Sequence, residues 1–304
     1  MGEKLIISID GKACACEKGE YLLQVARRNG IFIPSLCNHE GLEGLGACRL
    51  CIVEVTRGGR TQTVVSCIYP VEAEIEVQTQ TNSIVEQRSV IVALLARLAP
   101  QSQTIAQMAK FMGADLPRLA ERPGGDKCIL CGLCVVACEQ VGTGAIAKVN
   151  RGVEKEIATP YHRPSAECIG CTACANVCPT GQIEYQQDEQ GVTIWGRYFD
   201  YVACAACGKQ FATAAAWEFS ALSSASEAAS VGVGADAGAD AGAGAGAGAG
   251  AIGQGRTGVV ADADALPAPP LCPECQRQQV AEWLASSSGR YGNVRVAMKE
   301  LAGE

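Results

Sequence analysis

Large aromatic rings are scarce in this sequence: they make up 5% of its 304 residues, and there are only two histidines. Order in such a chain comes less from a large apolar core than from other ties. Nor is there a basic block. Lys and Arg number 25 against 32 Asp and Glu, for a net charge of −7. Phosphate binding needs clustered cations, so no nucleic-acid partner is expected. No 18-residue run reads as a membrane span; the longest apolar region, 231–252, is Ala and Gly with aspartates in its first half. The opening "MGEKLIISID" has neither an apolar signal core nor a small-residue cleavage site, so a cytoplasmic chain is expected. What abounds is cysteine, 18 in all. In a reducing compartment thiols stay free, and clustered cysteines there point to metal rather than to disulfides.

Along the chain, "KLIISI" reads as a strand, "DGK" as a turn and "ACAC" as the start of a second strand. "GEYLLQVARRNGI" reads as a short helix carrying Leu22, Leu23, Val25 and Ala26, with Gly30 as its stop. "CIVEV" and "TQTVVSC" supply two further strands, and strand, turn, strand, helix is how a β-grasp domain begins. Ser83 to Glu86 fits a capping box, after which Ile84, Ile91, Leu94, Leu95 and Leu98 share a helical face up to Pro100. A second helix is expected over 102–112, ending at Gly113. From 222 to 264 the Ala/Gly-rich composition predicts a disordered insertion. It holds two G-x-G-x-x-G matches, at Gly248 and Gly253; neither follows a predicted strand, so no dinucleotide site is read there.

Two runs share one spacing. Cys128, Cys131, Cys134 and Cys138 are followed forty residues later by Cys168, Cys171, Cys174 and Cys178, with Pro179 after the last. A C-x2-C-x2-C loop wraps three thiolates around a [4Fe–4S] cube, and the fourth must come from elsewhere. In bacterial two-cluster ferredoxins the fourth cysteine of each run ligates the other cluster. That pattern assigns Cys128, Cys131, Cys134 and Cys178 to one cube, and Cys168, Cys171, Cys174 and Cys138 to the other. Gly132, Gly170 and Ala173 let the backbone approach sulfur. Two zinc sites are the competing reading, and zinc sites rarely use two complete runs of this kind.

Cys37, Cys48, Cys51 and Cys67 form a third set, C-x10-C-x2-C-x15-C, which suits a [2Fe–2S] unit with two ligands per iron. The spacing differs from the plant-type C-x4-C-x2-C. "IPSLCNHEGLEGLGACRLCIVEV" followed by "SC" resembles the N-terminal [2Fe–2S] domain of the large iron–sulfur subunit of NADH–quinone oxidoreductase. The same module occurs in NAD-linked hydrogenase diaphorase subunits, iron-only hydrogenases and NAD-dependent formate dehydrogenases. The resemblance covers roughly residues 1–185. It implies clusters that pass electrons between a flavoprotein handling NADH and another redox centre. Many members carry a His-and-three-Cys [4Fe–4S] site between the halves; here "LLARLAPQSQTIAQMAKFMG" holds neither residue, so that cluster is expected to be missing. The family's catalytic domains have no counterpart in the remaining chain.

Cys204, Cys207, Cys272 and Cys275 stand apart. "CAACG" and "CPEC" resemble the two knuckles of a zinc ribbon or rubredoxin, and four thiolates make a tetrahedral site for zinc or for a further iron–sulfur centre. A long insertion between knuckles costs little, because loop-closure entropy grows logarithmically. Cys14 and Cys16 lie two apart on a strand and are read as packing. His39 and His162 are read as solvated. Arg49, between two ligands, could place a cation near the [2Fe–2S] unit or lie in solvent.

The expected fold is α+β. It comprises a β-grasp [2Fe–2S] ferredoxin domain at 1–80, a helical connector at 81–120, a bacterial two-[4Fe–4S] ferredoxin-like domain at 121–187 and a zinc-ribbon-like module at 188–304. The expected function is electron relay within an NAD(P)H-linked complex of the hydrogenase, formate dehydrogenase or bifurcating transhydrogenase type. A flavoprotein subunit and a further redox subunit or ferredoxin would be its partners. A free multi-cluster ferredoxin and an iron–sulfur sensor or assembly factor are the alternatives; a sensor needs one labile cluster and not a chain of them.

Overall fold

The computed structural model describes residues 3–42, 44–114, 126–230, 270–275 and 277–278. It divides into two compact units, residues 1–187 with 193–198, and residues 188–192 with 199–304. The fold is mixed α+β.

The first unit opens with a hairpin of β1 (Lys4–Ile9) and β2 (Lys12–Glu17). Asp10 and Gly11 both take positive φ between them, as a two-residue primed turn requires. The Asp10 carboxylate accepts from the Thr79 amide (2.8 Å) and hydroxyl (2.6 Å), tying this turn to a segment 69 residues away. Helix α1 (Leu22–Arg28) buries the four apolar residues read from the sequence, Leu22, Leu23, Val25 and Ala26. Strands β3 (Ile52–Arg57), β4 (Arg60–Val65) and β5 (Glu76–Gln78) complete a sheet of order β2-β1-β5-β3-β4, in which only the β1–β5 pairing is parallel. Ile7, Ile9, Val53, Val55 and Val77 pack with α1 in one core, and Cys14, Cys16, Cys51 and Cys67 are buried in that core too.

Helix α2 (Asn82–Leu98) is capped by Thr81, whose hydroxyl accepts from the Ile84 amide at 3.2 Å. The cap therefore sits two residues before Ser83, and the expected Ser83–Glu86 box does not form; Ser83 lies within the helix and Gln87 bonds to it. The buried stripe is Ile84, Arg88, Val92 and Leu95, spaced by four, four and three, while Leu94 is exposed. Helix α3 (Gln103–Phe111) starts at Ser102, which accepts from the Ile105 amide, and gives way near Gly113 as expected. The two helices do more than connect. Val92, Leu95, Ala99, Ile105 and Ala109 build one apolar cluster with Cys37, Cys48, Leu50, Ile129, Cys131 and Leu133.

Beyond it come α4 (Leu133–Val141), the paired strands β6 (Ala147–Val149) and β7 (Glu156–Ala158), the single turn α5 (Ala173–Asn176), and strands β8 (Tyr185–Gln187) and β9 (Gly191–Ile194). In the second unit, the end of β10 (Arg197–Ala203) pairs antiparallel with β11 (Gln210–Thr213), Tyr201 opposite Thr213. Helix α6 (Ala214–Ser230) follows. It corrects the expectation of disorder from 222: "LSSASEAAS" continues a helix begun by "AAAWEFSA", and alanine is the strongest helix former. The rest of the Ala/Gly tract, with Gly248 and Gly253, lies outside the described residues. Among the described residues no helix is long and apolar enough to cross a membrane.

Candidate metal centres

Cys37, Cys48 and Cys51 lie on the loop between α1 and β3, and Cys67 on a single turn after β4; all four are at most 3% exposed. The Cys48 amide donates to Cys37 Sγ at 3.3 Å and the Leu36 amide to Cys48 Sγ at 3.4 Å. The sulfurs lie close enough to share protons. Thiols of Cys48 and Cys67 donate to Cys37 and draw its pKa far down, while that sharing and burial push their own up. Cys67 likewise donates to Cys51, which falls to about 6. Ser66 pins the turn by donating its hydroxyl to the Cys51 carbonyl at 2.7 Å. A Cβ at Gly44 would stand 2.8 Å from the Cys67 carbonyl, so glycine is needed for the loop to close over Cys67. Four buried convergent sulfurs with amides aimed at them fit a metal–sulfur unit.

In the paired runs, Cys128, Cys131, Cys134 and Cys178 line one cavity of about 210 Å³, so the last cysteine of the second run lies with the first three of the first. Burial, then the neighbouring thiols including Cys178, pushes Cys131 up to about 11 and Cys134 up to about 12. Cys174 is likewise raised to about 11 by burial, and the thiols that add to this are Cys171, Cys138 and Cys168. The structure thus brings Cys138 beside the other run.

The two loops match residue for residue. Two positions after the first cysteine stand Leu130 (φ 54°) and Gly170 (φ 69°); one position after the second stand Gly132 (φ 84°) and Thr172 (φ 57°). Non-glycine residues avoid this left-handed region, so Leu130 and Thr172 mark backbone held for a purpose. At Leu130 the result is visible: its amide donates to Cys128 Sγ at 3.3 Å. The fourth cysteines match as well. Cys138 Sγ accepts from the Ala145 amide (3.2 Å) beside the Thr143 hydroxyl (3.2 Å), and Cys178 Sγ from the Gln182 amide (3.3 Å) beside the Thr180 hydroxyl (3.7 Å). Burial opposes ionisation of Cys178, yet donors from Thr180, Gln182 and Ile183 outweigh it and lower its pKa.

Three residues not singled out in the sequence serve these sites. Trp195 and Gly196 form a two-residue turn, both at positive φ, and a tryptophan there is costly. The cost sets the indole on the wall of the Cys128 cavity, with Nε1 buried and without an acceptor of its own, facing the Cys174 thiol closely enough to favour the thiolate. An orphaned buried donor beside the Cys174 sulfur fits a sulfur cluster that would accept from it. Arg197 Nη1 reaches the carbonyls of Ser165, Ala166 and Cys168 at 3.1–3.3 Å and holds the start of the second loop. The third is Arg88, a charge within an apolar stripe, and the i, i+4 spacing from Ile84 was its sequence signal.

Of the other residues weighed, Cys14 and Cys16 are buried packing residues whose thiols burial pushes up. His39 is solvent-facing, with Nδ1 against the Glu40 carbonyl, and His162 is exposed beside Glu156. Arg49 is exposed at φ 60°.

In the second unit the sulfurs of Cys204, Cys207, Cys272 and Cys275 all lie within 4.8 Å of one another. The Cys275 amide donates to Cys272 Sγ (3.5 Å), Gly208 (φ 71°) closes the first knuckle onto the Cys204 carbonyl (2.8 Å), and the Ala205 amide bonds Pro270 (2.8 Å). Backbone donors, the Cys272 amide first, bring Cys204 down to about 6, and thiol sharing, with Cys272 first, raises Cys275 to about 12.

Residues 2–82 match the 2Fe-2S iron-sulfur cluster binding domain and residues 127–182 the 4Fe-4S dicluster domain. The NADP-reducing hydrogenase subunit HndD of Solidesulfovibrio fructosivorans is 32% identical over 213 residues, 59% of this chain and 36% of that protein. NADPH-Fe(3+) oxidoreductase subunit alpha of Geobacter sulfurreducens is 32% identical over 203 residues, 58% of this chain and 24% of that one. The NADH-ubiquinone oxidoreductase 75 kDa subunit of Reclinomonas americana is 28% identical over 202 residues, 58% of this chain and 29% of its own. The chain thus matches little more than a third of such relatives at most. A crystal structure of NAD+-reducing [NiFe]-hydrogenase in the H2-reduced state shares the fold, with TM-score 0.50 and 23% identity over 59% of this chain and 86% of that one. The chain carries a 2Fe–2S cluster binding domain followed by a 4Fe–4S dicluster domain, and over more than half its length it is similar to subunits of NADP-reducing hydrogenase and NADH–ubiquinone oxidoreductase.

Proposed function

We propose that this chain is the electron-relay subunit of an NAD(P)H-linked complex, standing between a flavoprotein and a further redox subunit or ferredoxin. In this reading residues 1–80 are a β-grasp [2Fe–2S] domain with ligands Cys37, Cys48, Cys51 and Cys67. Residues 81–120 form the helical pair, and residues 121–187 hold two cubes. One is ligated by Cys128, Cys131, Cys134 and Cys178, the other by Cys168, Cys171, Cys174 and Cys138. Residues 188–304 form a zinc-ribbon-like module in which Cys204, Cys207, Cys272 and Cys275 hold one structural zinc. When bound, the iron–sulfur groups take up and release single electrons with no bond made or broken in the chain.

The chain's own residues do the rest. Cysteine sulfurs hold the metals, and the amides of Leu36, Cys48, Leu130, Ala145 and Gln182 offset thiolate charge. The observation that carries the reading is the shared apolar cluster: Cys37 and Cys131, one from each domain, are packed in it together, and the Cys37 thiol is felt at Cys131. Relay sites must be close and dry, and this packing supplies both. The names of the relatives, subunits of NADP-, NADPH- and NADH-linked enzymes, support a place among partner subunits.

Anaerobic purification of the full chain tests the reading. About ten irons, from one [2Fe–2S] and two [4Fe–4S] groups, are expected, with the corresponding EPR signals and no NADH oxidation by the flavin-free chain. NADH-dependent dye reduction by the chain alone, or an iron content near that of a single cluster, would overturn it.

A further inference from the structure

Arg88 is 3% exposed, on the buried face of α2. Its Nε donates to the Leu50 carbonyl at 3.1 Å and its Nη2 to the Ile52 carbonyl at 2.7 Å. These two carbonyls flank Cys51. The hydrogen bonds satisfy donors but leave the charge standing, and no carboxylate bonds or ion-pairs with the guanidinium among the described residues. The anionic groups it senses are the Cys51 thiol and Asp10, and Asp10 is already bonded twice to Thr79. Buried charges are otherwise paired, because desolvation costs several kcal/mol in an unpaired state. Arginine cannot escape by losing its proton. The negative group that faces it first is thus the sulfur of Cys51, one of the four cysteines of the site itself, and the full counter-charge would come from what those cysteines hold. A [2Fe–2S] unit held by four thiolates supplies it: by oxidation-state count it is a dianion with both irons ferric, and it gains one more negative charge, with no proton, on one-electron reduction.

We propose that Arg88 is the internal counter-cation of the Cys37, Cys48, Cys51 and Cys67 site and favours its one-electron-reduced form, an inference that rests on reading those cysteines as [2Fe–2S] ligands. Arg49 is the cation that chain position offers, but it is exposed, and water and salt screen it. Arg88 stands inside, where an opposite charge moves a charge-state equilibrium by about one to three decades. It acts through the site and is a positioning residue rather than a ligand.

The test compares Arg88→Gln, which keeps a donor for one carbonyl but no charge, with Arg88→Lys, which keeps the charge but not the two-pronged grip. The full chain is titrated with dithionite and mediators and followed by EPR, the [4Fe–4S] signals serving as an internal reference. In Arg88→Gln the reduction equilibrium of the [2Fe–2S] signal should fall at least tenfold, 59 mV for one electron. Arg88→Lys should stay within a few-fold of the unmodified chain, and the cubes should not move. A loaded Arg88→Gln chain with an unmoved [2Fe–2S] midpoint overturns the proposal. If Arg88→Gln does not load, Arg88→Lys decides: a near-normal midpoint supports the charge, whereas failure of both makes Arg88 a loop anchor and overturns it. Absence of any [2Fe–2S] signal in the unmodified chain instead overturns the ligand reading beneath it.

Discussion

Replacing Trp195 by Phe removes one N–H and keeps most of the ring. In the protein alone that N–H is buried beside Cys174 with no acceptor of ordinary geometry. Against an anionic sulfur it becomes a charge-assisted bond, worth roughly 1.5–3 kcal/mol. The oxidised group is anionic too and accepts the same bond, so only the part gained on reduction counts, and at about 1.4 kcal/mol per decade its ceiling is roughly a 10- to 150-fold change in the reduction equilibrium of the group held by Cys174. For one electron this is a fall of at most roughly 130 mV. The sign follows from charge: the donor favours the more negative, reduced form, so its loss lowers the midpoint. EPR-monitored titration of the full chain reads it, with iron analysis to show that both cubes are loaded. One [4Fe–4S] midpoint should drop and the other should move much less. If neither moves in a fully loaded Trp195→Phe chain, the hydrogen-bond argument is wrong. If both fall equally, the indole acts by excluding solvent and not by donating to Cys174.

Other perturbations have equally definite outcomes. Cys178→Ser should empty the site of Cys128, Cys131 and Cys134, and Cys138→Ser that of Cys168, Cys171 and Cys174; Mössbauer spectra that lose the same-run cube in either variant would refute crossed ligation. Gly44→Ala must displace the Cys67 carbonyl, so [2Fe–2S] content should drop while [4Fe–4S] content holds, and an unchanged visible circular dichroism spectrum would contradict this. Thr81→Ala removes the cap of α2 and should lower stability by about 1 kcal/mol in chemical denaturation. Metal analysis of the full chain should find one zinc that Cys272→Ser loses while the three iron–sulfur signals remain; extra iron at that position with no zinc would make the second unit part of the relay.

Cysteine spacing made most of the candidate sites legible, because ligand geometry leaves few ways to space thiolates along a loop. The β1–β2 hairpin and α1 were legible for a similar reason: Asp10-Gly11 is a turn with a mechanism, and all four predicted apolar positions of α1 are buried. The stripe of α2 was read in part: Ile84 and Leu95 are buried and Ile91 and Leu98 pack against the apolar cluster, but counting apolar residues alone put Leu94 on that face and missed Arg88. The helix turns Leu94 to solvent and buries Arg88, a choice made by the cysteine loop it packs against and invisible in a hydrophobic pattern. Trp195 was hidden for the opposite reason. It occupies a turn position where sequence rules expect Gly or Asn, and only its tertiary neighbours explain the strain.

The apolar cluster that holds Cys37 and Cys131 has a kinetic consequence. An electron moving between two sites must wait for its surroundings to repolarise, and mobile water dipoles are the largest part of that wait. The side chains clustered with the two cysteines include Leu50, Val92, Leu95, Ile105 and Leu133, which have almost no dipole to reorient and are closely packed. The crossing should therefore have a small reorganisation energy and a rate that hardly responds to solvent viscosity. A single polar substitution at Val92 or Ile105 would slow it without touching any ligand.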